Sequence, residues 1–254
     1  MAREVVIDRY MSRERNVLAA RGVFTALFGD YIEHSRRWVG DPDGLVLAMM
    51  RQGLAAAALY LTCRPRDEET AWTVNLPEPP LNLFFVADAA VDTVTGRFFD
   101  RHVQAEPHGR LFVQLVRPSG QPHQSVIDVT GFDVLLMLER YYAESEQATA
   151  RFFEYDEDAF LMLMALPDVD EPWLRSLSRE EGEALLHEPG MVAIEQRSVR
   201  FLCSCTYERI LDVAVKFFRG QPEELFGTDG GAEFLCPRCG CAHWIERSAF
   251  DAAL

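Results

Sequence analysis

Basic residues are the scarce class in this chain. Twenty-five lysines and arginines stand against 40 acids in 254 residues, a formal charge of −15. Phosphate binding runs on Lys and Arg, so nucleic acid is excluded as a main partner. Long apolar runs are missing as well: no stretch reaches the about eighteen uncharged apolar residues of a spanning helix, and the longest candidate, Leu54 to Leu61, is too short. The opening Met1-Ala2-Arg3-Glu4 lacks the apolar run of a secretory leader, so the expected compartment is the cytoplasm and no membrane partner is expected. There is no glycine-rich phosphate loop, no Gly-x-Ser-x-Gly elbow and no His-Glu-x-x-His. His34, His102, His108, His123 and His187 are scattered and read as surface residues, and Asp168 with Asp170 reads as a solvated loop. Nothing here assembles an enzyme site. Disorder is excluded too, because 48% of the residues are hydrophobic, ample for a core.

Cysteine is almost absent until residue 203, with Cys63 alone before it and read as a core thiol. Then five cysteines fall within 39 residues: Cys203-Ser-Cys205, thirty intervening residues, Cys236-Pro-Arg-Cys239, and Cys241. Two close thiol pairs on separate turns suit a tetrahedral zinc ion, each turn supplying two ligands. The second pair has the knuckle form, with Pro237 and Arg238 in the turn, Gly240 after it, and backbone amides expected to donate to the sulfurs. Between the pairs, Ile210, Leu211, Val213, Ala214, Phe217 and Phe218 recur at helical spacing over Tyr207 to Arg219, ahead of Gly220. A module this small is marginal without its metal. Three readings of the cysteines stay open at this point: a structural zinc ribbon, a zinc-held redox switch, and disulfides or free core thiols. Cys241 and His243 are further candidate ligands, expected to stay outside a closed four-thiol shell. A thiol–disulfide oxidoreductase using Cys236 and Cys239 is disfavoured, because the thiols are committed to metal.

Elsewhere the pattern gives an α+β chain. Asp43 to Cys63 reads as a helix whose alanine-rich middle, Ala55 to Ala58, packs closely under a sheet. From Thr70 to Thr130 the period changes to two, for about five antiparallel strands divided by turn signals at Pro77-Glu78-Pro79-Pro80 and Pro118-Ser119-Gly120. Phe132 to Gln147 returns to helical spacing, with strands expected over Thr149 to Tyr155 and Phe160 to Leu166. Trp173 to His187 reads as one connector helix with Ser178 and Glu181 in capping-box relation, and Val192 to Phe201 looks extended. Charge is concentrated in this connector: eleven acids and three arginines lie between Asp156 and Ser198. Arg21-Gly22-Val23-Phe24 reads as strand or turn.

Phe201-Leu202-Cys203-Ser204-Cys205-Thr206-Tyr207-Glu208-Arg209, the thirty-residue gap and Cys236-Pro-Arg-Cys239-Gly240 together resemble the redox-regulated 33-kDa heat-shock chaperone family. Tyr141-Tyr142-Ala-Glu-Ser145-Glu146-Gln147-Ala-Thr149-Ala-Arg151 is similar to another of its segments, and Asp8-Arg9-Tyr10 with Arg21-Gly22 echoes its N-terminus. The resemblance implies an α+β substrate-binding domain over 1–166, an acidic helical linker over 167–198 and a zinc domain over 199–254. It implies that Cys203, Cys205, Cys236 and Cys239 are both zinc ligands and redox-switch thiols. Oxidation would convert them to two disulfides, release zinc, unfold 199–254, loosen 173–198 and expose a surface for unfolded or partly folded client proteins, without ATP. It leaves room for a homodimer of the oxidised form. Departures fall at Leu76 to Pro80, at His123-Gln124-Ser125, at Ala159 to Leu163, and in a connector shorter than the family's. The alternative is a constitutive zinc-stabilised protein-interaction module that has lost the switch.

Overall fold

The computed structural model describes residues 2–101, 103, 107–117 and 121–254. His102 and the turn signal at Pro118 to Gly120 lie outside the described residues. Two strands, β1 (Glu4–Ser12) and β2 (Val17–Val23), are followed by two helices, α1 (Thr25–Trp38) and α2 (Gly44–Thr62). The period-two region then folds as β3 (Glu69–Pro77), β4 (Pro80–Asp88), β5 (Thr93–Phe99), β6 (Gly109–Val116) and β7 (His123–Val129). After α3 (Val134–Tyr141) and one π-helical turn to Glu146 come β8 (Ala150–Glu154) and β9 (Ala159–Ala165). The α+β class is the observed one.

Among the described residues, ten strands form one sheet in the order β7-β6-β3-β4-β5-β10-β1-β2-β9-β8, where β10 is Val192–Phe201. Alternation gives each strand an inner and an outer face. The inner face carries Ile7, Ala20, Trp72, Val74, Leu83, Phe85, Val94, Met162 and Val199, and α1, α2 and α3 close over it to make the main core. α2 is capped by Asp43, whose carboxylate accepts from the Val46 amide, and it ends at Cys63. By length and composition it could cross a membrane, but two-thirds of it is buried inside this fold. That burial explains its apolarity.

Arg21 to Val23 is strand, the end of β2, as expected, and the helix after it is an addition: α1 buries Leu27, Phe28, Tyr31 and Ser35, a stripe that begins where the strand pattern stops. Two expectations need correction. The connector is two helices, α4 (Glu171–Ser176) and α5 (Arg179–Leu185), because Ser178 takes an extended conformation and its hydroxyl starts a new capping box with Glu181. Finally, 192–198 is no part of a linker, since β10 runs through the middle of the sheet, antiparallel to β1 and parallel to the start of β5.

β10 is also fixed by its one buried cation. Arg197 is 4% exposed and donates to the carbonyls of Leu61 (3.0 Å) and Ala89 (3.1 Å) and to the Asp92 carboxylate. It ties the end of α2, the β4–β5 turn and β10 together.

α4 and α5 cover the outer face at one end of the sheet. Leu174, Leu177, Leu185, Leu186 and Met191 pack on Val17, Ala19, Phe153, Leu161 and Leu163 as a second core. Gly182 is required there, because a Cβ on it would lie 2.9 Å from the Phe153 ring. The rest of the chain is a small module: α6 (Tyr207–Phe218), α7 (Pro222–Phe226), the hairpin β11 (Gly231–Leu235) and β12 (Ala242–Glu246), and α8 (Arg247–Ala252).

Candidate metal centre

β10 delivers the first cysteine pair to the outer face. Beyond Phe201 the Leu202 amide donates to the Val94 carbonyl of β5 at 2.9 Å, so 202–206 begins against the sheet. Thr206 then caps α6 by accepting from the Arg209 amide, and Arg209 donates to the Ser204 carbonyl at 3.1 Å, which fixes the turn that carries Cys203 and Cys205. The second pair sits in the turn between β11 and β12. The Cys236 amide donates to the Cys241 carbonyl at 2.9 Å and the Gly240 amide to the Cys236 carbonyl at 2.8 Å. The Gly240 amide is therefore spent on a carbonyl, while the Cys239 amide donates to the Cys236 sulfur, as expected of a knuckle. Gly240 has φ +81°, where a side chain is strained, and a Cβ there would meet Val39 at 2.8 Å.

The structure brings the four named thiols together. Their sulfurs all lie within 4.8 Å of one another, with Cys203 to Cys236 at 3.8 Å and Cys205 to Cys239 at 3.5 Å. A tetrahedral ion with metal–sulfur bonds of ~2.3 Å holds its sulfurs ~3.8 Å apart, so the set fits such an ion with little movement. Cys236 and Cys239 are buried at 2% and 0% exposure, whereas Cys203 and Cys205 are half-buried. The four thiols are electrostatically unequal. Hydrogen bonds from the Cys203, Cys205 and Cys239 thiols hold Cys236 well below the ordinary thiol range, while hydrogen bonding to Cys203 and Cys236 pushes Cys205 up, and to Cys203, Cys205 and Cys236 pushes Cys239 up. Cys203 is held down as well, chiefly by its hydrogen bond with Cys205, so two thiolates are favoured and two resist like charge; a bound cation removes that resistance.

Three contacts join the ligand turns to the large domain. Arg97 of β5 donates to the Cys236 carbonyl at 3.1 Å. The Nε2 of His34 on α1 donates to the Cys239 carbonyl at 2.8 Å. Arg238, between the two ligands of the knuckle, makes a bidentate pair with Glu69 of β3 at 2.7 Å for both bonds. Burial lowers the Arg97 pKa against the pull of Cys239 and Cys236, and the hydrogen bond to Glu69 raises that of Arg238. Across the narrow gap beside them, Val86, Thr93 and Thr95 on the outer sheet face meet Leu202, Ser204 and Arg238. His34 and Arg97 were not anticipated as site residues, since only the fold carries them to the cysteines.

The module's own core is small: Ile210, Ala214, Phe226, Ile245 and Phe250, with Phe226 and Phe250 edge to face at 5.2 Å. Cys63 stands apart, half-buried at the end of α2, its thiol pKa pushed up by burial. The two further candidates do approach the centre, for Cys205, Cys241 and His243 also have ligand atoms within 4.8 Å of one another.

Comparison with known proteins agrees with this arrangement. The family model described as Hsp33 protein matches residues 154–246. A 33 kDa chaperonin of Ectopseudomonas mendocina is 26% identical, over 82% of this chain and 81% of that protein. One of Sodalis glossinidius is 24% identical over 56% of this chain, which spans only 57% of that relative's length. Among solved structures, a 33 kDa chaperonin from Thermotoga maritima, a heat shock protein 33 homolog, superposes with a TM-score of 0.69 at 13% identity, covering 98% of this chain and 97% of that one. The relatives are named as chaperonins and not as enzymes. The four clustered cysteines able to hold a metal ion and the shared α+β fold thus go with a likeness to 33 kDa chaperonins and, over residues 154–246, to the Hsp33 family model.

Proposed function

We propose that this protein is a cytoplasmic, ATP-independent holdase whose client-binding surface is controlled by oxidation of Cys203, Cys205, Cys236 and Cys239, with Zn2+ as the resident metal. The observation that carries the reading is that the ligand turns are also the docking turns: Cys236 and Cys239 lend their carbonyls to Arg97 and His34, and Arg238 between them holds Glu69. A module with five core residues depends on its metal, because small domains bury too little surface to hold themselves. Loss of the ion therefore loosens both the module and its seat on the sheet.

The redox step balances simply. One peroxide takes two electrons from two thiols, leaving a disulfide and two waters; a second peroxide does the same for the other two thiols, and the ion departs with its ligands gone. The surface then freed is the outer face of β3 to β7, where Val86 is buried, Ala71, Phe84 and Phe112 are screened in part and Val126 is already 49% exposed. Apolar surface of this kind suits segments of unfolded clients, and the strong negative charge keeps the loaded protein soluble.

We place the substrate-binding domain over 1–166 together with 192–201, the helical connector over 167–191, and the metal domain over 202–254, a division that the pairing of β10 within the sheet supports. The embedded strand also favours the second reading, a constitutive interaction module. β10 is paired on both sides and α4 and α5 are anchored in their own core, so metal loss need not release them. Aggregation of a chemically unfolded client, followed with reduced zinc-bound protein and with peroxide-oxidised, zinc-free protein, separates the two. The switch reading expects suppression mainly from the oxidised form; equal suppression by both would favour the constitutive module.

A further inference from the structure

Cys241 immediately precedes β12, a strand in which alternate side chains share a face, and the turn before it is tied to it by the Cys236 amide donating to the Cys241 carbonyl. Cys241, His243 and Ile245 therefore project together, while Trp244 points the other way and is 58% exposed. Ile245 is fully buried in the module's core, so this is the inward face, and its two chemically active members stand at the end nearest the cysteine turns. There one ring nitrogen of His243 and the sulfurs of Cys241 and Cys205 lie within 4.8 Å of one another. We propose that these three residues form a second metal site for a thiophilic cation, adjoining the four-thiol centre and sharing the Cys205 sulfur with it.

The state of the three side chains favours this over simple packing. The Nε2 of His243 is shielded from solvent yet has no hydrogen-bond partner among the described residues, whereas buried polar atoms ordinarily find one. The Cys241 thiol makes a weak contact at 3.7 Å with the carbonyl of the next residue. Two sulfurs and an imidazole select soft or borderline ions such as Zn2+ or Cu+ over Mg2+ or Ca2+. Charge points the same way. Four thiolates outweigh one divalent ion, so the Cys205 sulfur retains electron density to share; a second divalent ion that adds one thiolate and a neutral imidazole lowers the net negative charge of the cluster. All three residues are half-buried, which leaves a path from solvent and an open fourth position.

The test is metal stoichiometry on the full-length, reduced protein, with Zn2+ titrated against a chromogenic chelator and Co2+ used as the spectroscopic probe. Two equivalents are expected, the second weaker. Cys241→Ser and His243→Ala should each abolish the second and leave the first unchanged, which also reports that the variants are folded. The second Co2+ equivalent should show mixed sulfur and nitrogen ligation, with the nitrogen signature absent in His243→Gln. It should also slow alkylation of Cys241 by iodoacetamide. A wild-type stoichiometry of one overturns the proposal, as does a second equivalent that survives in the Cys241→Ser/His243→Ala double variant. Binding of one ion that persists in Cys239→Ser but not in Cys239→Ser/Cys241→Ser also overturns it, since Cys241 would then be a substitute ligand in the first site.

Discussion

Replacing Glu69 by Gln preserves shape and removes one charge from the contact that links the metal turn to the sheet. Glu69 accepts two bonds from Arg238 at 2.7 Å each, with the two side chains 25% and 38% exposed. Hydrogen bonds to charged groups contribute roughly 1.5–3 kcal/mol when well shielded. Solvent reaches this pair, so a discounted figure of about 1 kcal/mol applies. That is roughly a fivefold change in an equilibrium constant. Undocking of the module must also break the bond from the Leu202 amide to the Val94 carbonyl, 2.9 Å long, so exchange at Leu202 reads the opening directly. In the reduced, metal-bound protein, Glu69→Gln should accelerate hydrogen exchange at Leu202 about fivefold and leave amides in the middle of β10 unaltered. The same substitution should have no effect in an Arg238→Gln background. An unchanged rate, or equal acceleration in that background, would refute the idea that the knuckle holds the module to the sheet.

Other outcomes follow from the same contacts. Serine at Cys203, Cys205, Cys236 or Cys239 should cost the tightly bound zinc, whereas Cys63→Ser should retain it; metal analysis of the purified reduced variants checks both. Arg197→Met strips a buried cation from two carbonyls and Asp92, and should lower the unfolding free energy of the large domain by about 3 kcal/mol, read by denaturant titration. Burial raises the pKa of Glu139, despite its bonds from the Phe152 amide and Arg151, so its ionised form is disfavoured by folding. Its penalty is absent below the unfolded pKa and grows as pH rises toward the folded one. Glu139→Gln should therefore flatten the stability–pH slope in that interval, measured by thermal or denaturant unfolding at several pH values.

Much of this architecture was written in local patterns. The alanine-rich helix declared itself by Asp43 and Cys63 at its ends, and β3 by strict alternation that loosens in β4 to β7. The four clustered cysteines were legible because close thiol pairs are sequence-local objects. What stayed hidden was non-local. Nothing in Val192 to Phe201 says that it lies between β1 and β5, because strand order is decided by pairing partners almost 200 residues away in sequence, such as Arg200 with Glu4. α1 carries no start signal in the sequence, because Phe24 at its N-cap offers no side-chain bond and its first turn holds no acid. The split of α4 from α5 was signalled by Ser178, whose capping box marks a beginning and had been read as an interior feature. Cys241 and His243 needed β12 to show that a spacing of two puts them on one face.

The central claim is that the state of the four thiols governs whether the metal module stays folded on the sheet. Hydrogen exchange across the whole chain, compared between the reduced zinc-bound form and the peroxide-oxidised zinc-free form, tests it most directly. The account predicts that protection collapses over 203–254 and at Leu202, and persists through 192–201 and the strands beside it. Protection over 203–254 that survives the loss of zinc would contradict it.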